Sequence, residues 1–555
     1  PVDGVRASRE LNTMVRITYD DEFIYVAAEC IGPGPYIIQS LKRDIPLFWR
    51  GDTFGLVFDP VNERSNGFVF AVNPAAVQHE ALITGQTGRR GNSGSLNGIN
   101  RAWDNKWYSE VQILEDRWTV EMAIPFKSLR FGDKLEWGVN FLRRDAKNNI
   151  YHTWSPVPVQ FRGVDLGYTG KLIWDKAPGK KKKNLSAIPY LLGIGGKDFE
   201  TNVPFEHNQR VGLDAKVAVN SSLNLDLTIN PDFSQVDVDE QQTNLTTINL
   251  RFPERRLFFL ENSDILNDFG IPPMRPFFSR KIGLDDDGNT IPILYGARLS
   301  GNLNKNLRIS LMNSQTKSEE LPGNNYTSFA VRQRVLQRSI IKGYFHNRKR
   351  MTNATVSHND YNSVAGLEFG YRSQNGKWQG SGGLGIAFTE GKNNQNYFYS
   401  ASTGFDGKAF NFYANVSGVG DGYQNDFGFI PRKNHYDAID DTTYIIGFDH
   451  VYSRIGYTFY PSNNLINQHG IRFSFVGDWT TTSNDLIAKT FDWRYNFSFV
   501  NSSTLLLTYK HEYVNLLYPF GFTEDNAPLP RDMYHFNYGE INYQSDTRRI
   551  VNIRS

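Results

Sequence analysis

The sequence predicts an all-β protein: an N-terminal β-sandwich followed by an antiparallel transmembrane β-barrel of about 16 or more strands, with an insertion that fills or caps the lumen. Three observations lead there. Beyond residue 185, apolar and polar residues alternate strictly. Leu223, Leu225, Leu227 and Ile229 interleave with Asn224, Asp226, Thr228 and Asn230, and Phe491, Trp493, Tyr495, Phe497 and Phe499 interleave with Asp492, Arg494, Asn496 and Ser498, so one face of each strand is apolar and the other polar. Tight-turn chemistry recurs at Asn375-Gly376, Asp406-Gly407 and the Asn-Ser-Ser triplets 220–222 and 501–503, residues that tolerate the left-handed backbone of hairpins. Aromatics form 14% of the chain and the mean hydropathy is −0.47, a balance that suits strands better than helices.

Composition excludes several classes. The 60 Lys and Arg nearly cancel the 58 Asp and Glu, so no one-signed field points to a nucleic-acid partner. The single cysteine, Cys30, cannot form an internal disulfide, and no Cys/His pattern has zinc spacing. No apolar run approaches the roughly twenty residues of a membrane-spanning helix. A barrel needs only short alternating strands, which average to hydrophilic in any window. Pro1 leads almost at once into a strand-like run, as expected of a fragment whose leader is missing or removed. The tight turns imply sixteen or seventeen strands, and since bacterial barrels favour even numbers, one or more closing strands are expected to be absent.

Residues 1–175 read as the sandwich. "MVRITYDDEFIYVAAEC" predicts a hairpin at Asp20-Asp21, and "DTFGLVFDP", "GFVFAVNP", "KWYSEVQIL", "RWTVEMAIP" and "EWGVNFLRR" supply further strands. Residues 176–184, with Lys180, Lys181, Lys182 and Lys183 after Pro178-Gly179, form a basic linker, either a solvated connector or a segment lying against lipid head groups.

Residues 185–555 read as the barrel. Longer polar connections are expected at 312–326, 349–362 and 418–440, opposite an end of tight turns, as in up-and-down membrane barrels. Aromatics crowd strand ends in "YFYSASTGF", "FNFYANV" and "YTFYP", where a membrane interface favours rings with a polar tip. A soluble sandwich also alternates, but it would break into domains of about a hundred residues, and here the hairpin pattern is unbroken.

The stretch 231–290 departs from this pattern. Asn230-Pro231 ends a strand, because proline cannot sit in a paired sheet interior, and alternation resumes only at "IPILYGARLSG". A segment so rich in proline and charge cannot face lipid, so it is expected to fold into the lumen or cap one mouth. Its acids Asp232, Asp237, Asp239, Glu254 and Glu261 can pair with Arg255, Arg256, Arg275 and Arg280, bracing a plug or lining a solute path.

The order "WDNKWYSEV…RWTVEMAIPFKSLRF…WGVNFLRR", "GLDAKVAVNSSLNLDLTINPDFSQVDVD", "RFPERRLFFLEN" and "FFSRKIGL…IPILYGARLSG" resembles an uncharacterised outer-membrane family common in Bacteroidota. Leu257 stands where that family more often has proline. The resemblance implies a periplasmic N-terminal domain similar to carbohydrate-binding module family 9, followed by an outer-membrane β-barrel domain of unknown function. It also implies a saccharide ligand held between aromatic rings, with calcium supporting the fold.

Trp49, Trp103 and Trp107 are the candidates for stacking on a pyranose, with core packing the competing role for each. Trp118, Trp137 and Trp154 sit in strand patterns and are expected in the core. Asp52 and Asp59 lack calcium-loop spacing and read as turn acids. "GSGGLG" at 380–385 fits a dinucleotide fingerprint but continues as strand, and "DDDGN" at 285–289 lacks the terminal glutamate of a calcium loop. No nucleophile elbow or His-Glu-x-x-His pair is present, so no catalytic residue and no cofactor is assigned. Three readings follow: a glycan-handling or transport-associated protein, an accessory subunit of a larger outer-membrane complex for secretion, assembly or uptake, and a partner of glycoside hydrolysis. Expected partners are outer-membrane lipid, saccharide, and other outer-membrane or periplasmic proteins.

Overall fold

The computed structural model describes residues 9–554, apart from 85–98, 179–184, 198–204, 232–253, 285–290, 318–322, 522–526 and shorter gaps of one or two residues. The first part of the chain builds two sheets. Its strands are β1 (Thr13–Tyr19), β2 (Phe23–Ile31), β3 (Thr53–Asp59), β4 (Asn66–Val72), β5 (Gln78–Thr84) and β6 (Ile99–Asn100). They are followed by β7 (Tyr108–Ile113), β8 (Arg117–Pro125), β9 (Glu136–Asp145), β10 (Ile150–Thr153) and β11 (Gly170–Ile173). One sheet runs β1-β2-β8-β7 and the other β10-β9-β3-β4-β5-β6, with β11 also on β9.

Period-two alternation decides how these sheets meet. Ile24, Val26, Ala28 and Cys30 of β2 and Val120, Met122 and Ile124 of β8 face Phe54, Leu56 and Phe58 of β3 and Phe68, Phe70 and Val72 of β4 in one buried cluster. Burial of each large side chain stabilises the sandwich by about 1.5–3 kcal/mol. The hairpin expected at Asp20-Asp21 forms there, with Asp20 accepting from the amides of Glu22 and Phe23, both at 2.7 Å.

Most of the later described strands form one large antiparallel sheet. It begins with β12 (Leu185–Gly196), β13 (Glu206–Ala218), β14 (Leu223–Ile229), β15 (Ile293–Asn302), β16 (Leu307–Thr316) and β17 (Gly323–Val335). It continues with β18 (Ser339–Thr352), β19 (Thr355–Arg372), β20 (Trp378–Thr389), β21 (Tyr397–Asp406) and β22 (Phe410–Val419). A small hairpin, β23 (Asn434–Asp437) and β24 (Thr442–Ile445), precedes β25 (Phe448–Phe459), β26 (Ile466–Thr480), β27 (Leu486–Phe499), β28 (Thr504–Asn515) and β29 (Met533–Gln544). Among the described residues sixteen strands pair in chain order, up and down, with β12 and β29 as the two edges. The count falls within the sixteen or seventeen expected from the turns.

The connections sort by end. Those at 219–222, 303–306, 336–338, 373–377, 407–409, 460–465 and 500–503 are short and share one end; the opposite end carries 230–292, 420–447 and 516–532 together with the shorter 390–396 and 481–485. Two expected long connections are shorter than the sequence reading gave them. Most of 312–326 belongs to β16 and β17, and 349–352 and 355–362 are strand. Their polar residues pair across the strands, as Arg348 and Arg350 do with Asp360 at 2.7 and 2.8 Å, so polarity there marks strand continuing rather than chain turning.

The two faces of this sheet are dressed in reverse of a soluble one. Leu311, Leu367, Leu384 and Ile455 are exposed, while Ser310, Ser328, His346 and Asp478, on the other face, are buried. "GSGGLG" lies within β20, as strand. Between Asn230 and β15 the described part of the insertion has two short helices, α1 (Leu257–Leu260) and α2 (Ser263–Asn267).

Trp118 and Trp137 are buried as expected, whereas Trp154 is 57% exposed. It follows β10, and its ring meets Phe141 edge-on at 5.8 Å, at the sheet margin rather than between the sheets. Asp52 and Asp59 are buried and not surface turn acids. Asp52 accepts from the amides of Ile37 at 2.7 Å and Ala146 at 3.0 Å, and Asp59 from that of Arg64 at 2.6 Å, tying loops to strand ends.

Candidate functional site

The polar face of the large sheet is where the chain concentrates buried charge. The insertion enters from the long-loop end and reaches nearly to the opposite one. Arg308 is the second residue of β16 and Arg332 lies near the end of β17, and both arginines meet Asp264 of α2, at 2.5 and 3.0 Å. Arg332 also contacts Asp268 at 3.2 Å. Lys342 of β18 pairs with Glu368 of β19 at 2.8 Å, and Glu368 accepts from the amide of Gly270 at 2.6 Å. Each of these four wall charges therefore has an insertion partner, the condition under which ions tolerate burial.

Apolar packing completes the contact. Phe259, Ile265, Leu266, Phe269, Met274 and Phe277 of the insertion share a buried cluster with Met312, Tyr326, Tyr344 and Val364 of the wall. The wall makes room at two glycines, since a Cβ at Gly366 or Gly385 would clash with the Tyr344 hydroxyl. The 420–433 connection joins in from the same end. Arg275 and Phe429 exchange backbone hydrogen bonds at 2.8 Å, and the Phe278 amide donates to Phe427 O at 2.6 Å.

Of the insertion charges singled out from sequence, Glu254 and Arg256 are brought together at 2.7 Å. Arg256 also donates to the carbonyls of Ile282 and Ser279, both at 2.6 Å, stapling the segment to itself. Arg275 donates to the carbonyls of Phe269 and Gly270 at 3.0 and 3.2 Å. Arg280 lies half-buried in the turn Ser279–Lys281. Asp232, Asp237, Asp239, Arg255 and Glu261 lie outside the described residues, as does the motif 285–289. The pairs that dock the insertion, centred on Asp264, Asp268 and Glu368, escaped the sequence reading. Their signal was parity: Arg308, Arg332, Lys342 and Glu368 fall on the non-apolar face of their strands.

In the sandwich, Trp107 is a core residue whose Nε1 donates to Glu80 Oε2 at 3.1 Å. Trp103 and Trp107 both flank Phe70, with centroids at 5.9 and 5.3 Å. Trp49 stands apart, packed on a second cluster that includes Val57, Val69 and Leu142. The three indoles do not share one open face. Glu80 is fully buried, accepts also from Arg43 and from the amide of Asn105 at 3.2 Å, and is pushed by burial up to about 7 against the pull of Arg43 and Trp107. Among the described residues, no group of three or more His, Cys, Asp or Glu side chains is placed to hold a metal ion.

The sandwich meets the large sheet at the short-turn end. Asp165 lies 3.7 Å from Arg338 and 3.8 Å from Arg372, the Tyr168 hydroxyl donates to Asn375 O at 2.9 Å, and Arg548 donates to Lys147 O at 2.7 Å.

Fold and site together define an all-β protein in which a sandwich is docked on a sixteen-stranded up-and-down sheet whose polar face is braced by an insertion. The chain belongs to the family described as Domain of unknown function (DUF5916), which matches residues 183–514. No curated protein matches it. Among solved structures it is similar to OpdL of Pseudomonas aeruginosa, at 10% identity over 88% of this chain and 97% of that one, with a TM-score of 0.26. It is also similar to the outer membrane protein opdK of the same organism, at 10% identity over 88% and 99%, with a TM-score of 0.28. A third is OccAB2 of Acinetobacter baumannii, at 9% identity over 78% and 92%, with a TM-score of 0.23.

Proposed function

We propose that this chain is a transport-associated outer-membrane β-barrel whose lumen is partly occluded by residues 231–290 and whose sandwich lies in the periplasm. One observation carries the reading: the large sheet exposes leucine, isoleucine and aromatic side chains while burying serine, histidine, arginine and aspartate on its other face. Water disfavours that arrangement, and a lipid surround with a polar interior favours it. Periplasmic turns of such barrels are short, and the sandwich sits at the short-turn end.

The test is conductance in planar bilayers. Intact protein is expected to give small or rare openings, and a variant lacking residues 231–290 large stable ones. Wide pores from the intact chain would refute the occlusion, and failure of the refolded chain to enter lipid vesicles would refute the barrel.

A second reading, saccharide handling by the sandwich, draws on the resemblance of the chain's motifs to an outer-membrane family whose N-terminal domain is similar to carbohydrate-binding module family 9. It is favoured by Trp154, an exposed indole backed by Phe141 and able to offer a ring face to a sugar, rather than by Trp107, whose ring is enclosed. Glycan-array binding by the full chain, lost in Trp154→Ala, is the expected result. An array with no signal, together with co-purified envelope proteins, would favour the accessory-subunit role.

A further inference from the structure

The described residues of the insertion cover only part of the polar face. Its buried cluster draws most of its wall residues from β15 to β22, whereas four mid-strand cations of β25 to β28 remain half-buried: Arg454, Arg472, Arg494 and Lys510. The register sets the arginines side by side. Arg472 is directly opposite Arg494, and Arg454, opposite Ser474, lies diagonally from Arg472 because Gly456 is that residue's partner. Tyr413 is directly opposite Arg454, and the Tyr413 and Tyr452 rings lie 6.0 Å apart.

Compensation is uneven. Asp492 is engaged by Arg494 at 2.6 Å, and Glu512 lies 3.6 Å from Lys510. Among the described residues neither Arg454 nor Arg472 has an ion pair, and the buried Nε of Arg454 and of Arg275 has no hydrogen-bond partner. Like charges facing each other across strands are destabilising, and a low-dielectric surround sharpens that repulsion and focuses positive potential. An anion relieves both. Guanidinium forks match carboxylate and phosphate oxygens two at a time, and the two tyrosine hydroxyls can donate as well.

We propose that Arg454 and Arg472, flanked by Arg494, Tyr413 and Tyr452, form a binding site for small carboxylate- or phosphate-bearing solutes on the wall left uncovered by the described residues of the insertion. The site is placed by the sheet register; only the direction from which a solute arrives rests on the barrel reading.

Titration of the full chain in detergent micelles with inorganic phosphate, at ionic strength held constant with chloride, tests it. Wild type is expected to bind phosphate and to melt at a higher temperature in its presence. Arg454→Gln and Arg472→Gln are each expected to weaken binding about tenfold or more, the loss of one charge-assisted contact, while melting at or above the wild-type temperature without phosphate because repulsion is relieved. Arg16→Gln, in the sandwich, is the control and should bind as wild type does. Equal phosphate affinity in wild type and both arginine variants would overturn the site, as would no binding by wild type. Either result in protein that still enters vesicles would leave the barrel reading standing, and failure to enter vesicles would remove that reading alone.

Discussion

Asp264 and Arg332 are paired at 3.0 Å across the boundary between insertion and wall, both almost fully buried, and Arg308 reaches the same carboxylate from the next strand. One short helix is thus clamped by two strands through a single side chain, close to the short-turn end.

Asp264→Ala should therefore loosen the insertion more than any other single change in it. Two buried guanidinium groups lose their shared partner, a loss of about 3 kcal/mol, at the low end of the usual range because Arg332 keeps Asp268. Protease cleavage within 257–284 in vesicle-reconstituted protein should rise, and single-channel openings should become more frequent. Unchanged cleavage would show that apolar packing alone holds the segment.

Leu384→Arg separates a lipid-facing wall from a soluble sheet. Leu384 is 69% exposed, so in water the change would be nearly neutral, within about 0.5 kcal/mol. In a bilayer it should cost about 2–4 kcal/mol, read from guanidinium unfolding out of phospholipid vesicles. Leu41→Arg, at an equally exposed site before β3, should be neutral in both settings.

Asp165→Ala should undock the sandwich without unfolding it. The carboxylate stands between Arg338 and Arg372 and also accepts from the Gly167 amide at 2.9 Å. Its removal strands two arginines at the junction, and trypsin cleavage after lysines 180–183 should accelerate severalfold while the near-ultraviolet spectrum of the sandwich is retained.

The sandwich should lose stability as pH rises from about 5 to about 8. Glu80 has its folded pKa raised to about 7 by burial, above its value in an unfolded chain, so the folded state holds the extra proton. That contribution is complete below the unfolded pKa and lost as pH climbs through the folded one. Cys30, fully buried with its thiol pushed by burial up to about 12, is a built-in reporter. Its alkylation by iodoacetamide should speed up toward pH 8 beyond the reagent's own pH dependence, and Glu80→Gln should flatten that excess.

Particular residues show where sequence reading sufficed. Leu223 to Ile229 announced β14 by alternation, and Asn230-Pro231 announced its end. The connections at 312–326 and 349–362 were overdrawn because strands that run past an apolar band carry polar residues on both faces, which erases the period-two signal. The docking acids Asp264 and Asp268 were missed because nothing local marks acids whose partners lie so far along the chain: Arg308 and Arg332 are 44 and 68 positions from Asp264, and Arg332 also serves Asp268.

By itself the sequence determined what depends on neighbours along the chain: strand or turn, which parity is apolar, and where proline and charge forbid a lipid-facing wall. Tertiary structure alone decided which charges meet, because pairing is set by register between strands distant in sequence and by the path of the insertion across them. It also decided that Trp107 is enclosed while Trp154 is open, since an indole in a strand pattern reads the same whether its face meets the opposing sheet or the margin.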